Sequence, residues 1–349
     1  MKTETRRVMV GNVPVGGGAP VSVQSMTNTR TADIDATVAQ IRLLQEAGCD
    51  IVRCAVPDMD SARAMGEIKK QISLPLVADI HFDWRLAVEC VKQGVDKLRI
   101  NPGNIGDRSR TEAVVQAAAE KHIPIRIGVN GGSVDRSRYP ELTPRALVES
   151  GLEQVRILES LGFYDTVLSF KASSVPLTVE AYRYAAKVCD YPLHTGVTEA
   201  GLPRTGLIRS AMGIGALLME GIGDTIRVSL TAPPEKEVAA ALEILRALGK
   251  RDAGYTLISC PTCGRTGIDL ELLAEKVQSW LDAHKPKRHI TVAVMGCVVN
   301  GPGEAKEADL GIAGGAGKCA LFAKGEFLRS VPEETAFEEF TAALREIAG

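Results

Sequence analysis

Eight short apolar runs, each followed by an amphipathic stretch, recur along the first two-thirds of this chain, and that alternation constrains the fold more than any other feature. The runs are VSVQSM (21–26), IVRCAV (51–56), LPLVADI (74–80), KLRINP (97–102), IPIRIGV (123–129), DTVLSFKA (165–172), YPLHTGV (191–197) and TIRVSL (225–230). Helical periodicity fills the intervals. TVAQIRLLQEAG stops at Gly48, TPRALVESGLEQVRILESLG enters through Thr143-Pro144 and stops at Gly162, and EKEVAAALEILRALG follows the eighth run. Eight such units in about 250 residues have the count and length of a closed (β/α)8 TIM-type barrel. An open doubly wound sheet is the rival, but the first strand–helix turn lacks the G-x-G-x-x-G that such a sheet uses for dinucleotides.

Past Gly249 the texture changes. YTLISC, DLELLAEKVQSWLDAH, HITVAVMG, DLGIAGG, KCALFAKG and PEETAFEEFTAALREIA give strand, helix, strand, two short strands and a last helix. The expected division is a barrel over residues 1–252 and a smaller α+β domain over residues 253–349. GGAGK in the second part is not a phosphate loop, because Cys319 stands where Ser or Thr should follow Lys318 and the earlier glycine is missing.

A chain of 349 residues with 45% hydrophobic content suits one large domain and one small one. The net charge of −2 gives no global attraction to nucleic acid or anionic membrane, so any anion site must be local. MKTETRRVMVGNVPVGGG lacks the apolar core of a signal peptide, and no apolar run is long enough to span a bilayer. Eight cysteines without a secretion signal point to a reducing cytoplasm and to free thiols or metal ligands. Cys49, Cys54, Cys90 and Cys189 lie in periodic apolar segments and read as small buried hydrophobes.

In a (β/α)8 barrel the C-terminal strand ends surround the active site. Arg53, Arg99 with Asn101, Arg126 with Asn130, Lys171, His194, and Arg227 with Ser229 are expected there. Two unit charges about 4 Å apart at an effective dielectric near 20 interact by roughly 4 kcal/mol, so five cations on one rim need an anion between them. Each arginine could instead pair with a carboxylate of a neighbouring strand; equivalent positions on five strands favour a shared phosphate or diphosphate, which arginine forks match. Glu199 in TGVTEAG lies just beyond the seventh strand, placed either to move a proton or to pair with an arginine. Asp79 and His81 could chelate a metal, but a hydrogen-bonded barrel histidine is the more ordinary reading.

The second domain carries SCPTCGRTG and MGCVVNGPGEA, which put Cys260, Cys263 and Cys297 at the ends of apolar strands. Three thiolates at one loop edge suit a metal centre whose fourth position is held by something else. Cys319 and Glu304 are both candidates for that position, and spacing alone does not separate structural zinc from an iron–sulfur cluster.

Those two segments, with IRIGVNGGS, SFKAS, LHTGVTEAG and IRVSL, resemble the bacterial form of the 4-hydroxy-3-methylbut-2-enyl diphosphate synthase family from QSMTNT to the end of the chain. The resemblance implies a barrel followed by an iron–sulfur domain, with a [4Fe-4S] cluster on Cys260, Cys263, Cys297 and Glu304. It places Arg53, Arg99, Arg126, Asn130, Lys171, Arg227 and Ser229, with His194, around a diphosphate, and Thr198, Glu199 and Asn300 near the reacting carbons. The implied reaction is reductive ring opening of 2-C-methyl-D-erythritol 2,4-cyclodiphosphate with loss of water. Electrons would come singly from reduced flavodoxin or ferredoxin. A homodimer would share sites between chains, because helix eight returns the chain to the bottom of the barrel. Competing readings are a phosphate-binding barrel lyase or transferase with a zinc-stapled appendage, and a zinc-knuckle nucleic-acid module, which 4% aromatic content disfavours.

Overall fold

The computed structural model describes residues 4–101, 108–251, 254–284, 286–298, 303, 305–315 and 317–348. The chain divides into two compact units, Met1–Leu248 and Gly249–Gly349.

The first unit opens with a hairpin, β1 (Val8–Val10) and β2 (Val13–Val15), that the sequence reading did not anticipate. Val10 and Val15 pack on Ile51 and Val77, residues at the starts of two barrel strands, so the hairpin plugs the N-terminal end of the barrel. The eight barrel strands are β3 (Ser22–Met26), β4 (Ile51–Ala55), β5 (Leu76–Asp79), β6 (Lys97–Ile100), β7 (Ile125–Asn130), β8 (Thr166–Lys171), β9 (His194–Thr195) and β10 (Thr225–Ile226). All pair in parallel, in the order β8-β7-β6-β5-β4-β3-β10-β9, and a parallel bridge between Leu168 and Leu193 closes the ring. Helices α1 (Ile34–Ala47), α2 (Met59–Lys69), α3 (Trp84–Lys92), α4 (Arg108–Glu120), α5 (Pro144–Ser160), α6 (Val175–Val188), α7 (Pro203–Met219) and α8 (Pro234–Ala247) follow the strands in turn.

Local chemistry sets these boundaries. α1 ends on Gly48 in the left-handed conformation, and α5 starts at Thr143, whose side chain accepts the Ala146 N–H ahead of Pro144. One device repeats at the strand starts. Asp50, Asp96 and Asp224 each precede a strand, and each accepts the N–H of a neighbouring strand: Val23 at 2.7 Å, Leu76 at 2.6 Å and Leu193 at 2.8 Å. These carboxylates satisfy donors that the short ladders leave over.

β9 and β10 are two residues each, shorter than their apolar runs. Beyond them the chain leaves the ladder: Gly196 has φ 156°, and a Cβ there would sit 2.3 Å from the Arg227 carbonyl oxygen. Tyr182 of α6 compensates at the seam. It is fully buried, accepts the Phe170 N–H at 3.0 Å and donates to the His194 carbonyl at 2.5 Å, stitching β8 to β9 where the ladder is thinnest.

The second unit is a five-stranded mixed sheet, ordered β11 (Tyr255–Ser259), β12 (Ile290–Met295), β13 (Leu310–Gly315), β14 (Lys318–Ala323) and β15 (Glu326–Pro332). The first three strands are parallel and the rest antiparallel. α9 (Leu270–Ala283) and α10 (Ala336–Ala348) cover one face through Val277, Trp280, Leu281, Phe340 and Leu344. β15 was not expected; it is an edge strand exposed at nearly every position, so it carries no apolar alternation. Strand β14, not a helix, follows GGAGK, in agreement with its rejection as a phosphate loop.

Candidate active site

Period-two alternation along short parallel strands sends Arg53, Asp79, Lys97, Arg99, Arg126, Lys171 and His194 toward the barrel axis. All are buried, Arg126 at 2% and His194 at 0% exposure. The ladder sets Arg99 opposite Arg126 and Asn130 opposite Lys171. Two glycines leave room for these long side chains: a Cβ on Gly128 would lie 2.9 Å from Arg99 Nε, and one on Gly196 would lie 2.9 Å from Lys171 Nζ.

The pairing alternative raised by the sequence holds for part of the ring. Arg99 Nη1 donates to Asp79 Oδ1 at 3.1 Å, Arg53 Nε stands 3.7 Å from Asp79 Oδ2, and His81 Nε2 is 3.5 Å from that oxygen. Arg227 Nη2 lies 3.6 Å from Glu237 Oε2 on α8. Among the described residues Arg126 and Lys171 have no carboxylate within ion-pair distance. Arg126 donates to Ser169 Oγ at 2.9 Å, while its Nε and Nη2 are buried without a hydrogen-bond partner among the described residues.

The electrostatic consequences follow from this shortage of anions. Burial pushes the Asp79 carboxyl up, but Arg53, His81, Arg99 and Arg126 together hold it well below the usual carboxylate range. Burial lowers Arg53 to about 10, with Asp79 opposing. Burial first, then neighbouring cations, also hold Arg126, Lys171 and His194 well below their ordinary values. An incoming anion with several charges would relieve all of these at once.

The floor of this chamber escaped the sequence reading. Lys97 is fully buried and donates to Gln24 Oε1 at 3.1 Å, with burial, Arg126 and Arg53 lowering its pKa. Its signal was available, since KLR puts Lys97 two residues before Arg99 and so on the same face. Glu237 gave no such signal, because an acid in the first turn of a helix is ordinary.

Glu199 sits in the loop after β9, exposed, with φ 54°, an uncommon conformation for a residue other than glycine. Thr198 beside it is half-buried and donates its N–H to the Ala172 carbonyl at 3.3 Å. Asn130 accepts Ser133 Oγ on its carbonyl, and Ser229 is half-buried beyond β10.

In the second unit, Cys260 directly follows β11 and Cys297 stands two residues past β12, the strand hydrogen-bonded to it. Gly296 N donates to Cys260 Sγ at 3.2 Å, so the two loops share one edge. Cys263 is exposed on the first loop, and the Arg265 backbone N–H lowers its thiol pKa. Among the described residues no three Cys, His, Asp or Glu side chains converge as a chelating group. The donor chemistry still fits a sulfur-ligated metal: three free thiols, one already receiving an N–H···S bond. Asn300 and Glu304 lie outside the described residues. Cys319 is buried in the helix-side core, and burial raises its pKa. Cys54, Cys90 and Cys189 are raised by burial to about 11, 12 and 11. No helix among the described residues is long and apolar enough to cross a membrane.

Fold and site together define a (β/α)8 barrel with a cation-lined C-terminal mouth, followed in the chain by a thiol-bearing α+β unit. The chain belongs to the GcpE family: the GcpE TIM-barrel domain matches residues 5–242 and the GcpE protein C-terminal domain matches residues 256–346. It is 57% identical over 349 residues to the 4-hydroxy-3-methylbut-2-en-1-yl diphosphate synthase (flavodoxin) of Clostridium perfringens, covering 99% of each chain. It is 56% identical to the protein of the same name from Geobacter sulfurreducens, again covering 99% of each. Among solved structures, Yersinia pestis dihydropteroate synthase shares the barrel, with TM-score 0.51 and 12% identity over 69% of this chain and 98% of that one. That likeness is one of fold alone.

Proposed function

We propose that this chain catalyses the reductive ring opening and dehydration of 2-C-methyl-D-erythritol 2,4-cyclodiphosphate to 4-hydroxy-3-methylbut-2-enyl diphosphate, a step of isoprenoid biosynthesis in the cytoplasm. The observation that carries it is the mouth itself, where Asp79 and Glu237 are the carboxylates that, among the described residues, stand within ion-pair distance of Arg53, Lys97, Arg99, Arg126, Lys171 or Arg227. The near-identical length and 57% identity of a relative bearing that activity's name agree with it.

Opening the ring breaks a carbon–oxygen bond to phosphate, so negative charge grows on a phosphate oxygen. Arg126 and Lys171, buried and without a carboxylate partner among the described residues, stabilise that growing charge. Arg53, Arg99, Arg227, Asn130, Ser229 and His194 fix the diphosphate so that the reacting carbons hold one orientation. Glu199 would deliver the proton that leaves with the departing hydroxyl as water, and Thr198 and Asn300 are assigned to the reacting carbons by the same family resemblance. Residues 1–252 thus serve as the diphosphate-binding domain and residues 253–349 as the redox domain. Cys260, Cys263, Cys297 and Glu304 would hold a [4Fe-4S] cluster, which supplies electrons one at a time, as zinc cannot. Reduced flavodoxin delivers the two electrons, with ferredoxin the alternative donor.

The assembly is a homodimer in which each mouth is completed by the partner's cysteine-bearing domain. It is supported by α8, which runs from the mouth back to the bottom of the barrel before the second unit begins. The deciding preparation is anaerobic purification followed by assay of iron, acid-labile sulfide and zinc, then turnover with reduced flavodoxin. Stoichiometric iron and sulfide with product formation support the reading; zinc alone sinks it. Cys263→Ser should bleach the protein while its barrel still binds inorganic pyrophosphate.

A further inference from the structure

We propose that Glu237 is a positioning residue that aims the Arg227 guanidinium at the bound diphosphate, an assignment that rests on the anion site argued above. Glu237 stands in the first turn of α8, immediately after the loop that leaves β10 at the mouth. It is 5% exposed, and its Oε1 accepts the Leu230 N–H at 2.8 Å, which anchors the carboxylate to that loop. Its other oxygen has no hydrogen-bond partner and faces Arg227 Nη2 at 3.6 Å.

Arg227 needs such a tether more than its neighbours do. Its side chain keeps 20% exposure, against 10% and 9% for Arg53 and Arg99, which Asp79 already holds. An untethered arginine at the rim samples many rotamers and loses them when an anion binds. Holding it beforehand removes that cost, a gain of about three- to tenfold in affinity for one long side chain. The opposing effect is that a carboxylate beside the guanidinium competes with the ligand for it. The geometry favours tethering: one oxygen is committed to Leu230, and the 3.6 Å contact to Arg227 is longer than a hydrogen bond, which leaves the guanidinium able to turn toward a phosphate.

The test is a double-mutant cycle on the anaerobically purified holoprotein, titrating inorganic pyrophosphate by calorimetry. Glu237→Gln keeps an acceptor for Leu230 and removes the charge. It should weaken pyrophosphate about three- to tenfold in the parent and less than about twofold in an Arg227→Met background. Should Glu237→Gln fail to fold, Glu237→Asp, which withdraws the carboxylate by one methylene, should show the same background dependence. Equal losses in both backgrounds would make Glu237 a structural cap and overturn the proposal. Unchanged or tighter binding would overturn it too, as it would make Glu237 a bystander or a competitor. Coupling in pyrophosphate binding without turnover of the cyclic diphosphate would leave the positioning role standing and remove the proposed reaction instead.

Discussion

At the scale of single residues, the proposed anion site gathers buried cations at a cost in stability. Arg126 is buried at 2% exposure and donates to the Ser169 hydroxyl, with no carboxylate within ion-pair distance among the described residues, so its charge is poorly compensated in the ligand-free protein. Arg126→Leu should therefore move two measurements in opposite directions. Pyrophosphate affinity should fall roughly 10- to 100-fold, the worth of charge-assisted hydrogen bonds. Resistance of the ligand-free protein to urea should rise by about 1–4 kcal/mol. A loss in both would mean that Arg126 is paired in solution. His194 gives the pH counterpart. Burial, Lys171 and Arg126 hold its folded-state pKa below the ordinary value, and its Nε2 is buried without a partner. The unfolded chain thus takes up the proton first, and stability is lost as pH falls below about 6.5. His194→Gln should flatten the difference between urea curves at neutral and mildly acid pH; an unchanged difference would refute the assignment.

Among the elements, the seam between β8 and β9 has one parallel bridge in place of a ladder, supplemented by the Tyr182 hydroxyl and by the Thr198 N–H on the Ala172 carbonyl. Tyr182→Phe strands a buried N–H and weakens the hold on a buried carbonyl, and should cost about 2–4 kcal/mol by urea denaturation. A cost under about 0.5 kcal/mol would show that the ladder alone carries the closure. The strand–helix alternation was readable from sequence because each barrel strand is buried on both faces and each helix on one stripe. The hairpin β1–β2 and the edge strand β15 were not. The hairpin is two three-residue strands around Gly11, too short for a periodic signal, and Glu326–Pro332 faces solvent almost throughout.

For the whole molecule, the proposed shared-site homodimer makes a prediction about two broken chains. On that proposal Glu199→Gln damages only the barrel's chemistry and Cys297→Ser only the cluster-holding loop, so each homodimer should be inactive. Mixed dimers should regain up to about one active site in two. No recovery in verified mixed dimers would place a complete site within one chain.

What the amino-acid order determined by itself was the alternation of eight strand–helix units, the column of cations at equivalent strand ends and the three cysteines at strand termini. Each is a local pattern, set by side-chain period and by breakers such as Gly48 and Pro144. Tertiary structure alone decided which cations are paired. Asp79 serves both Arg53 and Arg99, and Glu237 reaches Arg227 from a helix that follows the last strand, so among the described residues Arg126 and Lys171 are left without a carboxylate. Charge compensation depends on distance across the closed barrel, and no spacing along the chain encodes that distance.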